Sequence, residues 1–332
     1  MKRTSLGTVV VIAVTLAGPA YAGQQVKLDG YVEGREGGEL IIDGQRVQFG
    51  SRVKLKGHGP GFAAIPLGYE AKVKGVRQPD GSVRADEIEA RPNGRGLFED
   101  DLRASFDALE DRFRRSGRMF EEGEFGFHHT IGTLWEEGPE VDRARSVFES
   151  LIPSYIDARD YRVYVVDNPE WNAIAAPNGA IYVFNGLLDG LDDDELALVL
   201  GHELAHATHE HSRKQYKKKM LVGLGTLVAV AALDDIDSPG QRVAFQAAAV
   251  LLASAWENGY GRRQEEQADR VGMRYAFEAG YDIRKGPEMW ERFARRYSGG
   301  SGAWNFFFGD HQSSKERAAQ LRRELRETYR VE

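Results

Sequence analysis

Two histidines four residues apart, with a glutamate beside the first, are where residue type and spacing point most directly to chemistry: His202-Glu203-Leu204-Ala205-His206. On a helix a spacing of four puts both imidazoles on one face, about one turn apart, so they can converge on a single ion. Glu203 lies between them and can reach a water on that ion as general base. Zinc in a catalytic site needs a third protein ligand and keeps a fourth position open for water. The 332-residue chain has no cysteine, so the third ligand is a downstream histidine or carboxylate. The best segment is Tyr260-Gly261-Arg262-Arg263-Gln264-Glu265-Glu266-Gln267-Ala268-Asp269. Glu265 and Asp269 stand four apart on a predicted helix, so one could ligate the metal while the other orients a ligand histidine and fixes its tautomer. In isolation an exposed acidic helix with arginine pairs is the favoured reading of this segment, and it accounts equally well for Glu266.

The other histidines are discounted. His209 and His211 are expected at the solvated end of the zinc helix, beside Lys214 and the lysines at 217–219. His128-His129 and His58 stand in glycine-rich stretches and read as loop residues. The missing cysteines also exclude disulfides, thiol nucleophiles and iron–sulfur clusters. Lys and Arg number 44 against 51 Asp and Glu, and with no dominant basic patch a nucleic-acid partner is not expected.

Positioning the motif requires elements around it. Asp192 with Glu195 three residues on is a capping box, so a helix starts near Asp193. Upstream, 161–166 is β-rich, and 172–176 and 180–184 flank Pro177-Asn178-Gly179, a hairpin turn. Phe98, Leu102, Phe106, Leu109 and Phe113 form one helical stripe, and Val141, Ala144, Val147, Phe148 and Leu151 a second that stops at Pro153. Downstream, 220–233 and 243–256 are apolar runs of about 14 residues, short of the roughly 20 that span a bilayer. They read as a buried helical hairpin, with membrane contact through 220–256 as the alternative.

Four segments follow from composition and pattern. Residues 1–22 read as an export signal, with Lys2 and Arg3, an apolar run over 6–16 and Ala20-Tyr21-Ala22 as the cleavage site. Cleavage after Ala22 predicts a periplasmic protein, a compartment that permits disulfides without requiring them. Residues 23–92 alternate with period two: Val47 and Phe49 about Gln48, Val53 and Leu55 about Lys54, Tyr69, Ala71 and Val73 about Glu70 and Lys72. With turn signals at Asp43-Gly44 and Asp80-Gly81 they predict a small β-barrel or sandwich. Residues 93–97 are a linker, and 98–332 the domain that carries the motif.

The ordered motifs resemble a known family, the HtpX- and CAAX-prenyl-protease-like zinc metallopeptidases, metallopeptidase family forty-eight, a gluzincin family, and in particular its soluble periplasmic branch. Asn172-Ala173 and Pro177-Asn178-Gly179-Ala180-Ile181-Tyr182-Val183 resemble the family's edge-strand hairpin, and His202-Glu203-Leu204-Ala205-His206 its zinc helix. The small-residue hairpin follows, then Tyr260-x-Arg262-x-x-Glu265-x-x-Ala268-Asp269-Arg270-Val271-Gly272, Ala279-Gly280-Tyr281-Asp282, and His311 with Arg317 six residues later. The resemblance covers roughly residues 100–327. It implies that His202, His206 and Glu265 hold one zinc ion per chain, that Glu203 is the general base, and that Asp269 orients a ligand histidine. His311 matches a late family histidine near the metal that stabilises the transition state or blocks the open position. The family commonly has Thr-His-Pro there, whereas this chain has Asp310-His311-Gln312.

The expected fold is therefore α+β. A mainly helical zincin-like metallopeptidase domain with a small edge hairpin follows a small all-β barrel, which resembles OB-like domains of exported bacterial proteins. The expected function is zinc-dependent endopeptidase activity on unfolded or extended proteins in envelope quality control. Ile181, Tyr182 and Val183 are expected to present the strand that holds substrate extended, and the β-domain to dock an envelope partner. The alternatives are a latent zinc-binding chaperone or assembly factor with His311 in the fourth position, and a membrane-associated protease.

Overall fold

In the computed structural model the described residues are 23–57, 65–92, 97–119, 131–211, 260–297 and 314–331. The export signal, His58, His128-His129, the apolar runs of 220–256 and His311 all lie outside them. The chain divides into two units, Met1–Asn93 and Gly94–Glu332.

The first unit is a closed barrel of five strands: β1 (Gln25–Glu36), β2 (Glu39–Ile42), β3 (Gln45–Gly57), β4 (Glu70–Arg77) and β5 (Val83–Arg91). Their order is β1-β2-β3-β5-β4, with β4 returning to pair with β1. All pairings are antiparallel except β3 with β5. Asp43 and Gly44 join β2 to β3 with φ of 50° and 69°, the two left-handed positions that a tight hairpin turn demands. Leu28, Val32, Leu40, Ile42, Val47, Val73 and Ile88 fill the interior. One alternation breaks. The β3 register shifts between Phe49 and Lys54, and past that irregularity Leu55 is 37% exposed rather than in the core.

The second unit packs helices against a four-stranded sheet. The helices are α1 (Leu97–Ser116), α2 (Pro139–Leu151), α3 (Asn185–Gly190), α4 (Asp193–Thr208), α5 (Arg262–Glu278), α6 (Gly286–Tyr297) and α7 (Ser314–Glu324). The strands are β6 (Leu134–Trp135), β7 (Arg162–Val166), β8 (Ala173–Ala175) and β9 (Ala180–Phe184), in the order β6-β7-β9-β8. The stripe residues Phe106, Leu109 and Phe113 of α1 and Val141, Ala144, Val147, Phe148 and Leu151 of α2 are all buried in one core with the sheet and α4. α4 is buried around nearly its whole circumference, as befits a helix at the centre of a domain.

This order corrects the expected substrate strand. The sequence-based expectation places Ile181, Tyr182 and Val183 on an edge. The structure puts β9 inside the sheet, paired parallel with β7 and antiparallel with β8. Both rows of its main-chain groups are taken and every one of its side chains is buried. Among the described residues the edge strands are β8, beside β9, and the two-residue β6 at the far side.

The turn at Pro177-Asn178-Gly179 forms as expected. Gly179 adopts φ 85°, and a Cβ there would meet the Asp160 carbonyl oxygen at 2.0 Å, so both conformation and space require glycine. Asn178 is buried and donates to Asp107 Oδ1 (2.9 Å) and Glu110 Oε2 (2.7 Å) on α1. Arg162 Nε (2.6 Å) and the Tyr164 hydroxyl (2.5 Å) donate to Glu110 Oε1. One carboxylate thereby ties the hairpin turn, the middle of the sheet and α1 together.

Candidate metal centre

The cap that opens α4 forms in full. Asp192 Oδ1 accepts from the Glu195 amide (3.1 Å), and Glu195 Oε2 accepts from the Asp192 amide (3.3 Å). Arg292 of α6 clamps the Glu195 carboxylate with two 2.6 Å bonds. From this fixed start, three turns of α4 carry His202 and His206 into the core on one face, where both are at most 3% exposed.

Their Nε2 atoms face each other at 3.0 Å. Glu265, in the first turn of α5, brings one carboxylate oxygen to 3.4 Å from His202 Nε2 and the other to 3.3 Å from His206 Nε2. Ligand atoms about 2.0–2.2 Å from a tetrahedral zinc lie roughly 3.3–3.6 Å from one another. Both distances to Glu265 fall in that range and the Nε2–Nε2 distance is a little shorter, close to the spacing of a zinc site. The three are a group of His and carboxylate residues able to hold a metal among the described residues. The charge agrees. Glu203, Glu265 and Asp269 are three buried carboxylates against one buried guanidinium, Arg317, a deficit that a dication makes good. Of the two acidic residues left open by spacing, Glu265 faces the histidine pair and Asp269 stands behind it. Asp269 Oδ1 accepts from His202 Nδ1 at 2.9 Å, which fixes the tautomer with the Nε2 lone pair turned towards His206 and Glu265. Glu266 is on the outer side of α5, where it pairs with Arg262 at 3.2 Å.

The site is electrostatically demanding. Burial pushes the Glu203 carboxyl up to about 8; nearby His202 opposes this, and Glu265 adds to it. Burial and Arg317 work against charge on His202, but hydrogen bonds to Asp269 and Glu265 outweigh them and hold its imidazole up at about 9. Burial likewise opposes charge on Asp269, and Arg317 and His202 overcome it. An entering cation competes with the protons these groups hold. Glu203 also accepts a hydrogen bond from the Ala175 amide on β8, so the base touches the edge strand directly.

Several residues at the site have contacts that the motif spacing does not report. His209 and His211, expected in solvent, are 3% and 1% exposed. α4 ends at Thr208, and Glu210 takes a left-handed φ of 54°, which turns the chain back and seats His211 against His206. Burial lowers the basicity of His211 well below the ordinary histidine value, and His206 and His209 add to this. Tyr260 stacks on His206, ring centroids 3.8 Å apart and 18° between planes, and its hydroxyl donates to the Ala175 carbonyl (3.3 Å). Arg317 of α7 is fully buried. It grips Asp269 through Nε (3.0 Å) and Nη2 (2.5 Å), and its guanidinium lies 3.5 Å from the centre of the Trp290 ring. Its place six residues after His311 is the only signal that marks it.

The family model of peptidase family M48 matches residues 141–325, from the start of α2 through α7, with the metal centre inside that range and the barrel outside it. Among similar proteins, mitochondrial metalloendopeptidase OMA1 of Bos taurus is 33% identical over 137 residues, 39% of this chain and 25% of the bovine protein. Metalloprotease LoiP of Escherichia coli is 30% identical over 167 residues, 49% of this chain and 61% of LoiP. Metalloprotease YcaL of the same organism matches to the same extent, 30% over 167 residues. The chain thus spans from a quarter to about three-fifths of the length of these relatives. With the match covering more than half of the chain, and the donor triad assembled inside it, the chain belongs to peptidase family M48.

Proposed function

We propose that this protein is a zinc-dependent endopeptidase that cleaves unfolded or extended protein segments. The observation that carries this reading is the convergence of His202 Nε2, His206 Nε2 and the Glu265 carboxylate within 3.0–3.4 Å, beside the buried Glu203. Zinc held by these residues supplies Lewis-acid polarisation of the scissile carbonyl and acidifies water. Glu203 takes the proton of the attacking water on its carboxylate and passes it to the leaving nitrogen. Asp269, held in place by Arg317, accepts the His202 Nδ1 proton and so keeps the Nε2 lone pair for the metal. The outer edge of β8 holds the substrate chain by strand addition. In the β8–β9 ladder Ile174 pairs with Tyr182, flanked by bonds from Phe184 N to Asn172 O and from Ala176 N to Ala180 O. Ala173 and Ala175 therefore turn their amides and carbonyls away from β9. Asn172 Oδ1 takes the Ala173 amide (2.9 Å), Glu203 the Ala175 amide and the Tyr260 hydroxyl the Ala175 carbonyl (3.3 Å), so strand addition there displaces these side chains. Pairing through main chain favours extended segments with little sequence preference.

The setting is part of the same proposal. Residues 1–22 have the pattern of an export signal, and no helix among the described residues is long and apolar enough to cross a membrane; both fit work in the bacterial envelope on misfolded proteins. The strand order of the barrel supports an OB-like reading, and the barrel serves as a docking module for an envelope partner. The deciding experiment is elemental analysis of the purified full-length protein together with digestion of an unfolded protein such as casein. One zinc per chain and chelator-sensitive cleavage are expected. Zinc-loaded protein that leaves unfolded substrates intact rejects the peptidase reading.

A further inference from the structure

The two histidines of the centre are held from behind in different ways, and the difference assigns a role to a residue outside the metal-binding motif. His202 has a carboxylate at its back, Asp269. His206 has another imidazole: His211 Nδ1 lies 2.8 Å from His206 Nδ1, and His211 Nε2 lies 2.9 Å from Gln267 Oε1. All three side chains are buried. The left-handed turn at Glu210 brings His211 back towards α4, with its ring 4.8 Å from that of His206 and 75° between planes. α5 holds it there twice, through Gln267 and through Gln264, whose amide donates to the His211 carbonyl (3.4 Å).

We propose that His211 is a positioning residue for His206, and that Gln267 sets the direction of the hydrogen bond between them. The inference rests on the reading of His202, His206 and Glu265 as a zinc site. For His206 to present a lone pair at Nε2, its proton must sit on Nδ1, and a buried N–H needs an acceptor. His211 Nδ1 can accept only if the His211 proton is on Nε2. Gln267 Oε1, which accepts and does not donate, requires that arrangement. The chain then runs one way, from His206 Nδ1–H to His211 Nδ1, and from His211 Nε2–H to Gln267 Oε1. Reversing it would put a lone pair of His211 against a carbonyl oxygen and a proton on His206 Nε2, aimed at Glu265. A neutral orienting group also suits the charge of the site. A carboxylate in place of His211 would be a fourth buried anion beside a single guanidinium.

The test is zinc affinity of the full-length protein, measured by competition with a chromophoric chelator. Partners that orient a metal-bound histidine typically contribute 10–100-fold in affinity, and a loss of that size is expected for His211→Leu. His211→Asn keeps an acceptor oxygen close to the position of Nδ1 and is expected to restore most of the affinity. Gln267→Leu, which leaves the His211 ring in place, is expected to weaken zinc binding, and Gln267→Glu, which keeps the acceptor, is not. The Gln267 pair decides alone if His211→Leu does not fold. Wild-type affinity in both His211→Leu and Gln267→Leu overturns the proposal, as does a loss in His211→Asn equal to that in His211→Leu. Failure of the wild type itself to hold zinc overturns the metal-centre reading instead, so the two failures are distinct.

Discussion

Gly201 of α4 and Gly272 of α5 meet where the two helices cross. A Cβ on Gly201 would lie 2.7 Å from the Gly272 carbonyl oxygen, and one on Gly272 would lie 2.5 Å from the His202 amide nitrogen. Neither clash is with a flexible side-chain end, so relief requires a backbone to move. The missing side chains let α5 approach α4 closely enough for Glu265 to reach both histidines. Gly272→Ala is accordingly expected to lose about 1–3 kcal/mol through overpacking and to bind zinc more weakly. Urea unfolding and chelator competition on the same preparation check both effects. A stable variant with unchanged zinc affinity would show that the crossing distance is not what sets the site.

Glu203→Gln separates chemistry from binding. The amide has nearly the same shape, so the buried site should keep its packing and its zinc, but it cannot take a proton from water. A fall in kcat of roughly 10²–10⁴-fold is expected for loss of a general base, with zinc content unchanged. Turnover comparable to wild type on an unfolded substrate would place the base elsewhere.

Arg317 is a buried charge whose removal strands another. With Arg317→Met, buried Asp269 keeps His202 alone as a partner among the described residues, and breaking a buried pair in this way typically costs about 3–5 kcal/mol. Arg317→Lys retains the charge but not the planar fork that reaches two oxygens of Asp269 while lying flat on Trp290. It should fall between wild type and Arg317→Met. Guanidinium unfolding of the three proteins gives the order, and a lysine variant as stable as wild type would reduce the role of Arg317 to net charge.

What was legible in the sequence follows a simple division. The zinc helix was readable because its cap, its apolar faces and its ligands are all local: Asp192, Glu195, His202 and His206 lie within four turns of one helix. The turn at Asn178-Gly179 was readable for the same reason. Strand order was not, because whether β8 or β9 is the edge depends on where β7 pairs, and both strands are short and apolar. Nor was the burial of His211. Five residues after His206 is not a helical neighbour, and only the chain reversal at Glu210 converts that spacing into contact. Arg317 reaches Asp269 across 48 residues, a separation no local pattern reports.

Acid should loosen the sheet through Glu110. Burial alone would raise its carboxyl, but hydrogen bonds from Arg162, Tyr164 and Asn178, together with the Arg162 charge, outweigh burial and hold it below the usual range. A carboxyl more acidic in the fold than in the unfolded chain binds its proton more readily when unfolded. Its contribution to stability is therefore complete at pH values above the unfolded value of about 4.3, and is lost as pH falls through the lower, folded value. Protonation breaks the link between α1, Arg162 and the turn that carries Asn178, and so frees the hairpin whose β8 strand lies against Glu203. Glu110→Gln removes this titration while keeping one acceptor oxygen. The variant is expected to be less stable than wild type at pH 7, because Arg162 loses its charged partner, and to lose less on acidification below about pH 4.3. Urea unfolding at neutral and acid pH, compared as the difference between variant and wild type, is the measurement. A stability difference that stays constant across that range would mean that Glu110 keeps an ordinary carboxyl in the fold.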